Sequence, residues 1–145
     1  MIKSLTKTTL TALATAATLA VSIGEAQAYR TVYNQTVNPV AGGKFEAIED
    51  SFFGNRGVWC AASEYALREL GVSSTTRIYV QSPIGRSVTG SNRRGVVFGL
   101  KPPAGVSPVQ VVSTGAALKT PGANLSVSHA QQFCLDYREV FGPDS

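Results

Sequence analysis

The chain has 145 residues and only two cysteines, Cys60 and Cys134, and each lies in a stretch whose apolar residues recur with helical spacing. Two cysteines allow a single intramolecular pairing, which would covalently join two helices. The chain-entropy model assigns a bond closing so long a loop roughly 4.5 kcal/mol of stabilisation. The alternative is a reactive thiol, which needs an activating base, and His129 is the single histidine. We therefore expect a structural Cys60–Cys134 disulfide.

The N-terminal segment predicts the oxidising compartment in which such a bond forms. Two lysines precede an apolar stretch of Ala, Leu, Val and Thr over residues 8–23, and Ala26-Gln27-Ala28 has the small-x-small pattern of a signal-peptidase site. The apolar stretch is shorter than a membrane-spanning helix requires. We predict a signal peptide over residues 1–28 and a single secreted or periplasmic domain over residues 29–145, with no transmembrane anchor.

The clearest helical pattern runs from about Val58 to Leu70, and Gly71 follows as a stop signal. Glu64 and Arg68 are spaced as a solvent-facing ion pair on its polar side. A second helix is predicted from about residue 129 to residue 141, with Ser128 as the N-cap. Both cysteines fall on or beside the apolar face of their helix.

Between and before these helices the pattern changes to period two with β-branched residues, which is typical of strands. The predicted strands cover residues 31–37, 44–48, 75–80, 95–100, 108–113 and 125–128. The predicted fold class is α+β, a mainly antiparallel sheet with two helices joined by one disulfide.

Motifs of common enzyme classes are absent. There is no G-x-S-x-G, no phosphate-binding G-x-x-x-x-G-K-[ST], no H-E-x-x-H and no C-x-x-C. One histidine and two cysteines are too few for an ordinary zinc site, so we predict no cofactor. An alternative function is a small cell-envelope hydrolase or lyase using Glu46 or Glu64, with His129. The simpler interpretation places Glu46 at a solvated strand end and His129 at an exposed helix start.

Charge is distributed unevenly along the chain. No Asp or Glu occurs from Gly71 to Cys134, whereas that segment contains six basic residues. The predicted anion-binding residues are Arg77, Arg86, Arg93, Arg94 and Lys101. Such a block attracts anionic partners, and arginine suits carboxylate and phosphate recognition. The alternative is that these side chains only solubilise outward strand faces.

A second candidate site is the Gly-Asn-Arg-Gly turn at residues 54–57, before the first helix. Asn55 and Arg56 would supply polar contacts and Trp59 an apolar wall of a ligand pocket. Core packing is the alternative role for the tryptophan.

The segment V-W-C-A-A-S-E-Y-A at residues 58–66, the R-I-Y-V strand at 77–80 and the A-Q-Q-F-C segment at 130–134 together resemble a group of uncharacterised small secreted bacterial proteins. The resemblance implies an exported domain with one disulfide between its helices, and it implies no activity, ligand or catalytic residue. The leading hypothesis is an exported non-enzymatic domain that binds an anionic ligand or envelope component. A structural, partner-binding protein of an envelope assembly is a further alternative.

Overall fold

The computed structural model describes residues 27–50, 53–111 and 113–141. The predicted signal segment lies outside these residues, apart from its last two positions. Within the described ranges, no helix combines the length and the apolar character needed to cross a membrane.

One sheet and two long helices make up the fold. The strands are β1 Tyr29–Arg30, β2 Thr36–Val40, β3 Lys44–Ile48, β4 Arg77–Arg86, β5 Arg94–Gly99, β6 Val109–Gln110 and β7 Ala123–Ser126, and the helices are α1 Gly54–Arg68, α2 Thr114–Ala117 and α3 Val127–Phe141. The strand order is β1-β2-β3-β5-β4-β7-β6, and only the β6–β7 pair is parallel. The predicted α+β fold class is confirmed.

Helix α1 covers one face of the sheet. The ring of Phe45 on β3 lies 4.8 Å from that of Tyr65, and the ring of Phe98 on β5 lies 5.1 Å from that of Trp59. Because side chains alternate along a strand, Glu46 is directed to the opposite face. The core between sheet and helices is formed by the apolar residues of these elements, among them the fully buried Trp59.

The Cys60–Cys134 disulfide joins α1 to α3, with the two Cα atoms 5.1 Å apart, as predicted. Helix α1 begins at Gly54, four residues before the predicted start, because the Gly-Asn-Arg-Gly segment forms its first turn rather than a loop. Its predicted C-terminal stop is confirmed, since Gly71 adopts a left-handed φ of 64°.

Helix α3 begins at Val127, and its N-terminal amide is capped by a different serine from the one predicted. The Ser126 hydroxyl accepts a hydrogen bond from the amide of His129 at 3.2 Å, whereas Ser128 lies inside the first turn. The shift by two residues makes the last β7 residue the helix cap.

Three strand predictions are corrected. Residues 31–35 form a turn, and β2 starts only at Thr36. Strand β4 extends to Arg86, beyond the predicted end at Val80, because register shifts accommodate Pro83 on the strand. The predicted strand at 108–113 pairs over only two residues.

Candidate functional site

A cleft of about 540 Å³ lies at one end of the sheet, where β2 starts and β3 ends. We call it the Arg30–Arg93 cleft. The β1–β2 hairpin forms one wall, the β4–β5 loop forms the facing wall, and α3 contributes Tyr137. Its lining residues are Arg30, Tyr33, Asn34, Gln35, Thr36, Ile48, Glu49, Asp50, Ser91, Arg93 and Tyr137.

The hairpin wall is a tight turn that holds an arginine in place. Among the described residues, Asn34 is the one non-glycine residue with a left-handed backbone, at a φ of 61°. The Nη1 group of Arg30 donates to the Asn34 carbonyl oxygen at 3.1 Å and to its Oδ1 at 3.3 Å. Non-glycine residues in this conformation concentrate at functional sites. Here the unusual backbone orients the guanidinium group at the cleft.

Gln35 connects the hairpin wall to α1 and contributes an unsatisfied acceptor. Its side chain is buried, and its Nε2 donates to the carbonyl oxygen of Gly57 at 2.8 Å. A Cβ atom at Gly57 would lie 2.8 Å from that nitrogen, so this approach requires glycine. The Oε1 atom has no hydrogen-bond partner among the described residues. Buried acceptors are normally paired, so this enclosed oxygen is an exception within the fold rather than a contact open to the cleft.

The loop wall, residues 87–93, is fixed by the buried carboxylate of Glu46. Glu46 accepts hydrogen bonds from the Ser87 hydroxyl at 2.8 Å, from the Val88 amide at 2.8 Å and from the Thr89 amide at 3.2 Å. The Thr89 hydroxyl donates a further bond to it. The predicted solvated position of Glu46 is therefore wrong: the residue is 1% exposed, because the loop folds over it.

Two consecutive arginines lie at this end of the sheet: Arg94, which pairs with Glu49, and Arg93, whose side chain is unpaired among the described residues. Arg94 donates to both carboxylate oxygens of Glu49, at 2.8 and 2.9 Å, which is a bidentate pair. The guanidinium group of Arg93 is exposed and has no partner within the described part of the chain. Arg93 and Arg30 thus line one cleft from two separate chain segments.

Aromatic rings close the cleft beside α3. The Tyr137 ring lies 4.6 Å from that of Tyr33 and 4.6 Å from that of Phe53, measured between centroids. Tyr137 lies about one helical turn beyond Cys134, so the disulfide holds this part of α3 against α1. The covalent bond therefore supports one side of the cleft.

The fold separates the predicted anion-binding residues into two groups. Arg86, Arg93 and Arg94 lie at the cleft end of β4 and β5, where Arg86 and Arg94 are directly paired. Arg77 lies at the far end of β4, about 30 Å away at an ordinary strand rise. The predicted continuous basic region is therefore not a single surface.

The far end has its own shallow depression of about 450 Å³, which we call the lysine hollow. It is lined by Gly42, Gly43, Lys44, Gln81, Gly99, Leu100, Lys101, Pro102 and Ala104. Arg77 near this end is engaged with Asn124, whose Oδ1 accepts a hydrogen bond from its Nε. This end is basic without an arginine free to bind.

The predicted pocket of Asn55, Arg56 and Trp59 does not form. Trp59 is fully buried and packs on Phe98, so it cannot wall a surface pocket. Arg56 is exposed, pairs loosely with Asp136 at 3.7 Å and lies over the Phe133 ring. Because residues 54–57 are helical, their side chains spread around α1 instead of converging.

The residues of the hydrolase hypothesis are not brought together. Glu64 is buried on α1, on the helix side of the sheet, and Glu46 is directed to the opposite face. His129 is exposed at the start of α3, as predicted, with its ring 6.0 Å from that of Phe133. The described residues also contain no group of three or more His, Cys, Asp or Glu side chains arranged to hold a metal ion.

Sequence reasoning missed the hairpin half of the cleft. Arg30, Tyr33 and Tyr137 were not predicted as site residues, because they lie outside the acid-free segment. One signal was present: Asn34 interrupts the alternation between two apolar stretches, and asparagine tolerates the left-handed turn conformation better than most residues.

The chain matches no family model, no curated protein and no solved structure. The resemblance to small secreted bacterial proteins therefore stays a prediction, and the site must be interpreted from its own geometry.

Proposed function

We propose that this protein is an exported, non-enzymatic domain that binds a small anionic ligand in the Arg30–Arg93 cleft. The single observation that carries the proposal is the placement of an unpaired guanidinium group, that of Arg93, on the same cleft as Arg30. Arginine recognises carboxylate and phosphate groups through paired hydrogen bonds.

The electrostatic balance of the cleft supports an anionic ligand. Two arginines, Arg30 and Arg93, line the cleft with two acidic residues, Glu49 and Asp50, and Arg94 lies beside it in contact with Glu49. The charge of Glu49 is offset by its bidentate pair with Arg94, so the acid nearest to the loop wall offers little repulsion. Association with an anion should therefore weaken as salt screens the guanidinium charges.

The polar and aromatic lining of the cleft favours a small molecule as the ligand over the flat surface of a macromolecule. Side-chain amides, hydroxyls and tyrosine rings converge on a volume of about 540 Å³, which is within the usual range of small-ligand sites.

Titration of the disulfide-bonded, ¹⁵N-labelled protein with inorganic phosphate and with galacturonate at low salt tests the proposal. We expect saturable shifts at Arg30, Asn34, Ser91 and Arg93 that weaken at high salt. A preference for galacturonate over phosphate would identify a hydroxylated carboxylate as the better ligand. Shifts confined to the lysine hollow, or no saturable shift with either probe, would contradict the proposal.

Export is part of the same proposal. The signal-like segment and the disulfide both favour an oxidising compartment, and the described residues include no membrane-spanning helix. Intact-mass measurement of the protein from the periplasm or medium should give a chain beginning at Tyr29, with a two-hydrogen deficit that reductant removes. A cytoplasmic protein with free thiols would reject export.

A further inference from the structure

Two buried carboxylates lie beneath the two walls of the Arg30–Arg93 cleft, one on each side of the sheet. Glu46 and Glu64 are 1% and 5% exposed, respectively. The hydrolase hypothesis treated them as reactive groups. Their contacts are instead with the loops that form the cleft.

We propose that Glu46 and Glu64 are positioning residues, each holding one wall of the cleft in its binding geometry. The inference rests on the proposed function, because it assigns these carboxylates a role in ligand binding at that site. It adds that each of these two anchor residues supplies hydrogen-bond acceptors to its wall: both carboxylate oxygens of Glu46 accept bonds, whereas at Glu64 two bonds go to Oε1.

Glu46 supports the loop wall. Two consecutive backbone amides, of Val88 and Thr89, donate to its carboxylate, and the hydroxyls of Ser87 and Thr89 donate as well. These amides lie beyond the β4–β5 pairing, so the carboxylate supplies the acceptor that a strand would otherwise supply. The loop held in this way continues directly into Ser91 and Arg93, which line the cleft.

Glu64 supports the hairpin wall in the same manner. Its Oε1 accepts hydrogen bonds from the Tyr29 hydroxyl at 2.8 Å and from the Val32 amide at 2.9 Å. Val32 lies between Arg30 and Asn34, the two residues whose hydrogen bond orients the guanidinium group. The predicted solvent-facing Glu64–Arg68 pair is corrected accordingly. The hairpin covers Glu64, whereas Arg68 stays exposed with its Nε 3.9 Å from Oε1 of Glu64.

Both anchors act on backbone amides of loops, which explains how a substitution distant from the ligand could weaken binding. A carboxamide at position 46 offers one acceptor oxygen and directs an NH₂ group at existing donors. At position 64 both bonds go to one oxygen, which a carboxamide would retain, so an apolar side chain is needed to remove them. The affected loop would open more often while the sheet and the disulfide remain.

Hydrogen exchange with phosphate titration tests the inference in Glu46→Gln and Glu64→Leu, with the exposed Glu139→Gln as the matched charge control. We expect Glu46→Gln to speed exchange at Val88 and Thr89 by about tenfold, with Val32 within about twofold of wild type. Glu64→Leu, which removes the acceptor of the Val32 amide, should give the reverse pattern. Both should raise the phosphate Kd by about fivefold or more, whereas the control should change it less than about twofold.

Exchange that is unaltered or spread evenly over the protein, or a phosphate Kd equal to that of wild type, would overturn the positioning role. Ser87→Ala removes one donor to Glu46 and serves if Glu46→Gln does not fold; it should give the same localised pattern in weaker form. A wild-type protein that binds neither phosphate nor galacturonate would overturn the proposed function instead. The wall-specific exchange pattern separates the two failures.

Discussion

The two ends of the sheet are both basic, yet only one is built as a binding site. At the cleft end, Arg30 on β1 is held by hydrogen bonds to Asn34, and Arg93 ends a loop that is fixed by hydrogen bonds to Glu46. At the lysine hollow, Lys44 and Lys101 project from a glycine turn and from the exit of β5. The difference shows that positive charge alone attracts an anion, whereas a binding site also requires loops that hold the charged side chains in place.

Loss of the disulfide should have the largest effect on this comparison. In a Cys60→Ser, Cys134→Ser protein, we expect the free energy of unfolding to fall by about 3–4 kcal/mol. Because Tyr137 lies close to Cys134 on α3, the cleft end should lose order before the lysine hollow does. Chemical denaturation measures the first quantity, and amide exchange by region measures the second.

A disulfide-free protein of wild-type stability would contradict the first expectation. Equal loss of protection at Lys44 and at Arg93 would contradict the second, because it would show that the bond supports both ends alike.

Two glycines of β5 offer a sharper contrast, since Gly95 lies at the cleft end and Gly99 at the lysine hollow. A Cβ atom at Gly95 would lie 2.7 Å from Cδ of Glu46, a carboxylate that four donors hold in place. A Cβ atom at Gly99 would lie 2.9 Å from the amide nitrogen of Gln81, an exposed side-chain end whose one hydrogen bond within the described residues goes to the Lys101 carbonyl oxygen. We expect Gly95→Ala to cost about 2–3 kcal/mol and Gly99→Ala less than about 1 kcal/mol.

Thermal or denaturant unfolding of the two variants measures the difference in their free energies of unfolding. Similar costs at both positions would show that the Glu46 anchor is no more rigid than an ordinary surface amide, and would remove the structural distinction between the two ends.

The smallest expected effect concerns the hairpin wall at high pH. Burial, followed by the hydrogen bond to Glu64, raises the pKa of Tyr29 from its ordinary value of 10.0 to about 12. The folded state therefore keeps this proton where the unfolded state releases it. The stabilisation is complete below about pH 10 and is lost as the pH rises towards 12.

Absorbance of tyrosinate at high pH checks this assignment. In wild-type protein Tyr29 should ionise near pH 12, and Tyr29→Phe should lose that component and lose stability less steeply above pH 10. Burial also raises the pKa of Tyr65, whose late ionisation should persist in both proteins. If Tyr29→Phe instead loses one tyrosine from the titration near pH 10, the Tyr29–Glu64 contact does not persist in solution.

Periodic apolar spacing was enough to predict both long helices, their disulfide and the fold class. It could not predict that Glu64, which has the spacing of a solvent-facing ion pair, is covered by a hairpin distant in sequence. Nor could it predict the extension of β4 past Pro83, which depends on bulges that form only against β5. Local pattern carries no information about such long-range coverage.

The candidate site was predicted only in part for the same reason. Counting charges along the chain included Arg93, which lines the cleft, but grouped it with Arg77, which lies at the other end of the sheet. Arg30 lies far away in sequence and joins the cleft only because β1 and β2 are at the sheet edge beside β3. Which side chains meet at the cleft is therefore determined by the strand order and not by their distance in sequence.

The central claim is that the ligand binds at the cleft end and not at the other basic end. Its most direct test compares the phosphate or galacturonate Kd of Arg93→Ala with that of Lys101→Ala, each removing one exposed cation. We expect a Kd about tenfold higher for Arg93→Ala and a change of less than about twofold for Lys101→Ala. Equal weakening in both variants, or a larger loss in Lys101→Ala, would contradict it.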